Sequence, residues 1–255
     1  MGSNVAVVEI RCYAELNDFL APARRQRPFD YSVGARAGVK DALEAAGVPH
    51  PEIDLILVNG EPAGFDRLLA PGDRVAAYPR FRRLEVGAIS PVHLPAPGVW
   101  RFVLDGHLGR LARHLRLLGF DAAHRPETED ADLAAAAATG DRVLLTRDLG
   151  LLKRGVVRRG YRVRRTDPFE QVVEVIRHFD LAGRTDPFAR CLPCGETLAS
   201  TDTEQAAARV PPGVADRHTD YRHCPRCGRL YWRGTHYARL LALVERVRAA
   251  VAAPD

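Results

Sequence analysis

The sequence predicts an α/β protein built from a small N-terminal mixed β module, a middle domain with a mainly parallel sheet, and a C-terminal ribbon closed by four cysteines. Three observations carry that expectation. β-formers and turn signals dominate the first third of the chain. Beyond Trp100, strand and helix patterns alternate at regular length. Cys191-Leu-Pro-Cys194 is matched by Cys224-Pro-Arg-Cys227, each pair leading into a glycine, Gly195 or Gly228. At 255 residues the chain exceeds the usual single domain, so more than one hydrophobic core is expected.

Asn4 to Tyr13 is rich in β-formers, and Gly38 to Ala46 places Val39, Ala42, Leu43 and Ala46 at helical spacing. Ile53 to Val58 reads as a strand ending in the hairpin turn Asn59-Gly60, and Pro71-Gly72-Asp73 introduces another strand running to Tyr78. This order describes a β-grasp module. Its Val58-Asn59-Gly60 and Pro71-Gly72-Asp73-Arg74-Val75 segments resemble the ubiquitin-like sulfur carriers of the ThiS and MoaD type. Those carriers end in Gly-Gly for adenylation, whereas this chain continues through Phe81-Arg82-Arg83-Leu84. An interaction or RNA-positioning module, with a protein partner on its surface, is therefore expected instead of sulfur transfer. Pro91, Pro95 and Pro97 favour extended backbone, so the expected boundaries are 1–85 for the β-grasp module, 86–98 for a linker, 99–183 for the middle domain, and 184–255 for the ribbon and a last helix.

In the middle domain, strands are expected at Arg101–Leu104, Phe120–His124, Arg142–Thr146 and Tyr161–Arg165. Helices are expected at His107–Leu118, Ala131–Thr139, Leu149–Arg159 and Pro168–Phe179. Such β-α repeats imply a mainly parallel sheet. Residues 237 to 251 put Tyr237, Leu240, Leu241, Val244, Val247 and Val251 on one helical face, which implies docking against the body or a partner.

Composition bounds the function. No apolar run approaches the roughly 20 residues of a spanning helix, and the N-terminus lacks a signal-peptide pattern, so no membrane role and a cytoplasmic location are expected. Four of the five cysteines fall in the paired pattern, and Cys12 sits alone in an apolar run as a core residue, which suits a reducing compartment. A formal net charge of +5 favours an anionic partner. The two C-x-x-C turns let four sulfurs face one point, so Cys191, Cys194, Cys224 and Cys227 are expected to hold a structural Zn²⁺. Four thiolates leave zinc no open position, and catalysis must lie elsewhere.

Acids mark every strand-to-helix junction of the middle domain: Asp105, then Asp130 and Asp132, then Asp148, then Asp167. Each could be a helix N-cap, and Pro168 after Asp167 makes a cap the expected role there. Strand C-termini of a parallel sheet converge on one edge, however, and gathered carboxylates repel unless a cation compensates. A Mg²⁺ or Mn²⁺ site is the physical solution, and such an ion supports phosphodiester hydrolysis. Arg110, Arg113 and Arg116 lie off the leucine stripe of the first helix, either clamping phosphates or forming a solvated face. Arg147 adjoins Asp148, and Arg158 and Arg159 belong to a basic stretch from Lys153 to Arg165 that contains no acid, so RNA backbone contact is expected there. Tyr231 and Trp232 are candidates either to stack on unpaired bases or to pack the ribbon.

Three linked motifs now point to a family. The run Val103-Leu-Asp105-Gly-His-Leu-Gly-Arg110-Leu-Ala-Arg113 through Gly119-Phe120, the segment Leu144-Leu-Thr146-Arg147-Asp148, and the ribbon ending in Tyr231-Trp232-Arg233-Gly234 resemble the Mut7-C ribonuclease domain, a PIN-like fold, over about residues 99 to 240. The resemblance implies a metal-dependent ribonuclease in which Asp105 and Asp148 are the central metal ligands, Asp130 a third, and Asp132 a neighbouring substitute. A non-catalytic, zinc-stabilised RNA-binding adaptor is the competing reading, with the acids merely capping helices.

Overall fold

Side-chain alternation along β1 (Val5–Cys12) buries Ala6, Val8, Ile10 and Cys12 and seeds the N-terminal core. The computed structural model describes residues 5–34, 36–81 and 84–253. Asn4, the expected start of the first strand, and Arg82 and Arg83 of the run out of the β module lie outside the described residues. The chain divides into two units, Met1–Gly98 with Asp148–Arg162, and Val99–Arg147 with Val163–Asp255.

In the first unit β1 pairs antiparallel with β2 (Phe29–Gly34), a strand the sequence pattern did not single out. The helix α1 (Val39–Ala46) buries Val39, Ala42, Leu43 and Ala46, the predicted face. β3 (Ile53–Val58), the short β4 (Glu61–Pro62) and β5 (Arg74–Pro79) complete a mixed sheet of order β2-β1-β5-β3-β4, with β1 and β5 parallel. One helix on a mixed five-stranded sheet is the β-grasp architecture. Asn59 and Gly60 both take positive φ, 54° and 93°, as a primed hairpin turn requires. The Asn59 amide then donates to Asp73 Oδ1 at 2.7 Å, and the Ala70 N–H to Asp73 Oδ2 at 2.8 Å, fixing the turn before β5.

The second unit opens with β6 (Arg101–Leu104), followed by α2 (Gly109–Leu117), β7 (Asp121–His124), α3 (Asp130–Thr139) and β8 (Val143–Thr146). β7 and β8 flank β6, and both run parallel to it. Leu111 and Leu115 of the predicted stripe are fully buried, and Phe102 packs edge-on against Phe120 at 6.0 Å. Arg142 clamps the open ends of the strands, with a forked pair to Asp121 at 2.9 Å and a bond to Phe102 O at 3.0 Å.

The helix expected over Leu149–Arg159 is a single turn, α4 (Leu149–Leu152), and the next strand is β9 (Gly160–Arg162). Contacts distant in sequence explain the shortening, because this segment belongs to the first unit. Leu149 packs on the β-grasp core, Lys153 Nζ donates to Glu44 O at 2.6 Å, and His50 Nε2 lies 2.8 Å from Val157 O. The Arg162 N–H donates to Glu52 at 2.5 Å. These bonds to the β-grasp module seat the segment in an irregular course beyond Leu152.

α5 (Pro168–His178) follows, then the ribbon with β10 (Ala199–Ser200), α6 (Thr203–Ala207), α7 (Pro212–Ala215), β11 (Arg222–His223) and β12 (Leu230–Tyr231). Its three short strands are antiparallel in the order β10-β11-β12. The last helix, α8 (Thr235–Ala252), docks on α5: Val244 and Val247 are buried, and Arg177 donates to Ala250 O at 2.6 Å and Ala253 O at 2.7 Å. Among the described residues no helix is long and apolar enough to cross a membrane.

Candidate metal centre and strand-end site

The two C-x-x-C turns fold alike. The Gly195 N–H reaches back to Cys191 O at 2.8 Å and the Gly228 N–H to Cys224 O at 2.9 Å, and both glycines take positive φ, 80° and 71°. A side chain would be strained at either position. The turns bring all four sulfurs within 4.8 Å of one another, with Cys191–Cys227 at 3.6 Å and Cys194–Cys224 at 3.5 Å. Zinc–sulfur bonds of about 2.3 Å in a tetrahedron demand sulfurs about 3.8 Å apart, so the four thiols fit a structural Zn²⁺. Burial pushes the Cys191 thiol up to about 12. Cys224 goes the other way, to about 7: burial raises it, but hydrogen bonds from the Cys227 N–H and neighbouring thiols together outweigh burial. Cys12, buried in the β-grasp core, is pushed up to about 12 and is chemically quiet.

Two side chains brace this centre, one from within the ribbon and one from α2. The Tyr231 hydroxyl lies 3.1 Å from Cys191 Sγ and accepts the Leu192 N–H at 3.2 Å, so Tyr231 is a support of the knuckle and not a platform for bases. Arg116 is buried, and burial lowers its pKa. It donates to Ala122 O at 2.9 Å, Leu192 O at 3.0 Å and Pro193 O at 2.7 Å. The sequence placed Arg116 with the phosphate clamps or on a solvated face, and it is neither: its donors are consumed in tying α2 and β7 to the first knuckle.

The acids separate in role. Asp167 accepts the N–H groups of Phe169 and Glu170 at 2.9 and 3.1 Å and is the expected cap of α5. Asp148 accepts those of Gly150 and Leu151 at 2.6 and 3.3 Å and caps α4. Asp130 and Asp132 lie exposed in the first turn of α3. Asp105 differs. It precedes a short 3₁₀ turn, Gly106–Leu108, without capping it, and its Oδ2 accepts the Thr146 hydroxyl at 2.8 Å. Parallel pairing of β6 with β8 brings the ends of those strands together, so the buried Thr146 fixes the half-buried carboxylate.

The Asp105-Gly-His-Leu-Gly109 run also has a local reason. A Cβ on Gly106 would lie 2.6 Å from Pro126 O, and one on Gly109 would lie 2.9 Å from the His124 ring, so both glycines let the end of β7 close on the turn. His124 Nε2 sits 3.0 Å from Gly106 O. Sequence reasoning missed the roles of Thr146 and His124 because neither stands among the candidate ligands. Among the described residues the four cysteines are the one group of three or more metal-ligating side chains with converging atoms; the aspartates do not form a second.

Of the basic candidates, Arg110 and Arg113 are exposed on α2, Arg147 is exposed after β8, and Arg158 and Arg159 lie, exposed and half-buried, in the segment grouped with the first unit. His114, behind them on α2, sits 3.1 Å from Pro168 O, and burial lowers its pKa.

Fold and site together define a class: a β-grasp module and a parallel α/β domain whose central strand ends in an oriented carboxylate, followed in the chain by four cysteines placed to hold a metal ion. Comparison with known proteins specifies it further. Residues 100–244 match the Mut7-C RNAse domain and residues 5–85 the Mut7-C ubiquitin domain. The chain belongs to the Mut7-C RNAse domain family. No curated protein matches it. Two crystal structures from Haloferax volcanii are similar over 30% of this chain: the small archaeal modifier protein 1, at 27% identity and 99% of its own length, and a structure titled SAMP1, at 23% identity and 97%, each with a TM-score of 0.25.

Proposed function

We propose that the chain is a PIN-like, metal-dependent ribonuclease that hydrolyses RNA phosphodiester bonds, with Asp105 as the central ligand of Mg²⁺ or Mn²⁺ and with Asp130 and Asp148, whose oxygens do not converge on it among the described residues, joining it when an ion binds. The observation that carries this reading is Asp105 itself. In a domain matching an RNAse family, its carboxylate ends the central strand, forms no helix cap, and is aimed by a buried hydroxyl. Hard carboxylate oxygens suit hard divalent ions, which when bound activate water and stabilise the leaving oxyanion. The chain's own contribution is orientation: the Thr146 hydroxyl occupies one carboxylate oxygen and leaves the other to a ligand. Exposed Arg110, Arg113 and Arg147 supply positive charge for RNA phosphates, with Arg158 and Arg159 contributing from the basic stretch. The β-grasp surface serves a protein partner, and a metal held by free thiolates suits the cytoplasm.

Replacement of Asp105 or Asp148 by Asn is expected to abolish Mg²⁺- or Mn²⁺-dependent cleavage of RNA, by about 10²–10³-fold or more, the scale for losing one preorganised electrostatic group. Circular dichroism should show both variants folded. Full cleavage by both would sink the assignment. The capping bonds of Asp148 and Asp167 favour the second reading, a non-catalytic RNA-binding adaptor, which requires RNA binding indifferent to divalent ions and no cleavage by the unaltered chain.

A further inference from the structure

Three cavities of about 420, 420 and 490 Å³ follow one another along the second knuckle and the start of α8. They share walls: Leu192, Leu230, Tyr231 and Trp232 line the first two, and His236 and Leu240 line the second and third. Arg113 lines all three. Eight arginines border this cleft against a single carboxylate, Asp220, which already lies 3.9 Å from Arg233.

We infer that this cleft is a binding site for single-stranded RNA, with Trp232 stacking on an unpaired base and Arg113, Arg209, Arg229 and Arg233 holding phosphates. The inference rests on the ribonuclease reading for its connection to cleavage, but binding in the cleft is independent of it. Charge selects a polyanion. The aromatic wall selects one whose bases are unstacked, since an A-form duplex keeps its base faces inside. Trp232 is built as a platform. Gly234 makes room for the indole, because a Cβ there would lie 2.6 Å from Trp232 Nε1, and the adjoining Tyr231 is anchored to Cys191 at the metal centre. The stacking surface is thereby fixed before any strand arrives. Arg113 gives the direction: it stands on α2, the helix that follows Asp105 and its short 3₁₀ turn. A strand lying in the cleft is led along α2 toward the end of β6.

The test is fluorescence anisotropy of the full chain with a fluorescein-labelled 12-nucleotide oligouridylate, without added divalent ions so that binding is read apart from cleavage. Trp232→Ala should weaken binding about tenfold, within the range for loss of one stacked base, while Trp232→Phe retains most of the affinity. The Arg113→Ala, Arg229→Ala double variant should lower the slope of log K against log salt by about 1.4, or 0.7 per phosphate contact on a single strand. Zinc content per chain, expected unchanged, verifies that the ribbon is intact; if Trp232→Ala loses zinc, the Phe variant and the salt slope decide. A duplex of equal length binding as tightly, polyglutamate binding as tightly, or unchanged affinity and slope in these variants would each overturn the inference. If these variants lose binding while Asp105→Asn still cleaves, the cleft stands and the ribonuclease site falls. If they bind as the unaltered chain does while Asp105→Asn no longer cleaves, the ribonuclease site stands and the cleft falls.

Discussion

In the N-terminal unit, Val8, Ile10, Leu43, Ile56 and Ala77 belong to one contiguous buried cluster, whereas the ribbon buries few apolar side chains, Leu192, Ala206 and Tyr221 among them, beside two of its thiols. Full burial of an aliphatic side chain contributes about 1.5–3 kcal/mol, so the β-grasp module stands on number. Structural zinc supplies about 10–16 kcal/mol of apparent binding energy in zinc-finger peptides, so a ribbon whose four thiols fit that ion would stand on four bonds. Modules stabilised by such different means should fail under different insults.

The largest effect expected from this contrast is on the ribbon. Chelation of zinc, or Cys224→Ser, should remove hydrogen-exchange protection from Cys191–Tyr231 while leaving that of β1, β3 and β5 intact, a local loss on the order of 10 kcal/mol. Ribbon amides still protected after metal removal would end the comparison. Next in size, Leu43→Ala opens a cavity in the β-grasp core and should cost about 2–5 kcal/mol in urea denaturation, with zinc content per chain unchanged. A loss of zinc in that variant would show the two modules to be one cooperative system.

The smallest effect is the share of the pH dependence that His114 carries in the second unit. His114 has a folded-state pKa below its ordinary value, chiefly because burial disfavours the imidazolium; Arg113 and Arg110 add to that, against the Pro168 carbonyl and Asp167, which favour the charge. The unfolded chain therefore binds more protons in mild acid. Stability is complete above the unfolded-state pKa of about 6.5 and declines as pH falls below it. His114→Asn should flatten that decline in a thermal-melt series, and an unchanged slope would remove His114 from the account.

What could be read from the sequence follows the range of each interaction. The four cysteines were legible because each C-x-x-C turn encodes its geometry within four residues. The β-grasp strands and the α2 stripe were legible from periodicity; β2 carries the same alternation, with Phe29, Tyr31 and Val33 packed on the core and Asp30 and Ser32 turned outward, but in a run too short to stand out. The helix expected to reach Arg159 stops at Leu152 because the β-grasp residues meeting that segment, Glu44 and His50, lie more than a hundred positions away. Asp105 was recognisable as a candidate and Thr146 stood within the Leu144-to-Asp148 motif, but the bond between them, across 41 positions, is set by strand pairing and carried no signal. Arg116 misled because a helical wheel shows which side is polar and not what later chain covers it.

The return of Asp148–Arg162 to the first unit has a consequence for biosynthesis. Translation delivers the five-stranded sheet first, then the 49 residues from Val99 to Arg147, and only afterwards the stretch that Glu44, His50 and Glu52 receive. At about 5–20 residues per second, the nascent module waits on the order of a few seconds with its acceptor groups open to water. The ribosome's tempo, and any chaperone attending that interval, therefore bears on how the Asp148 segment finds its seat.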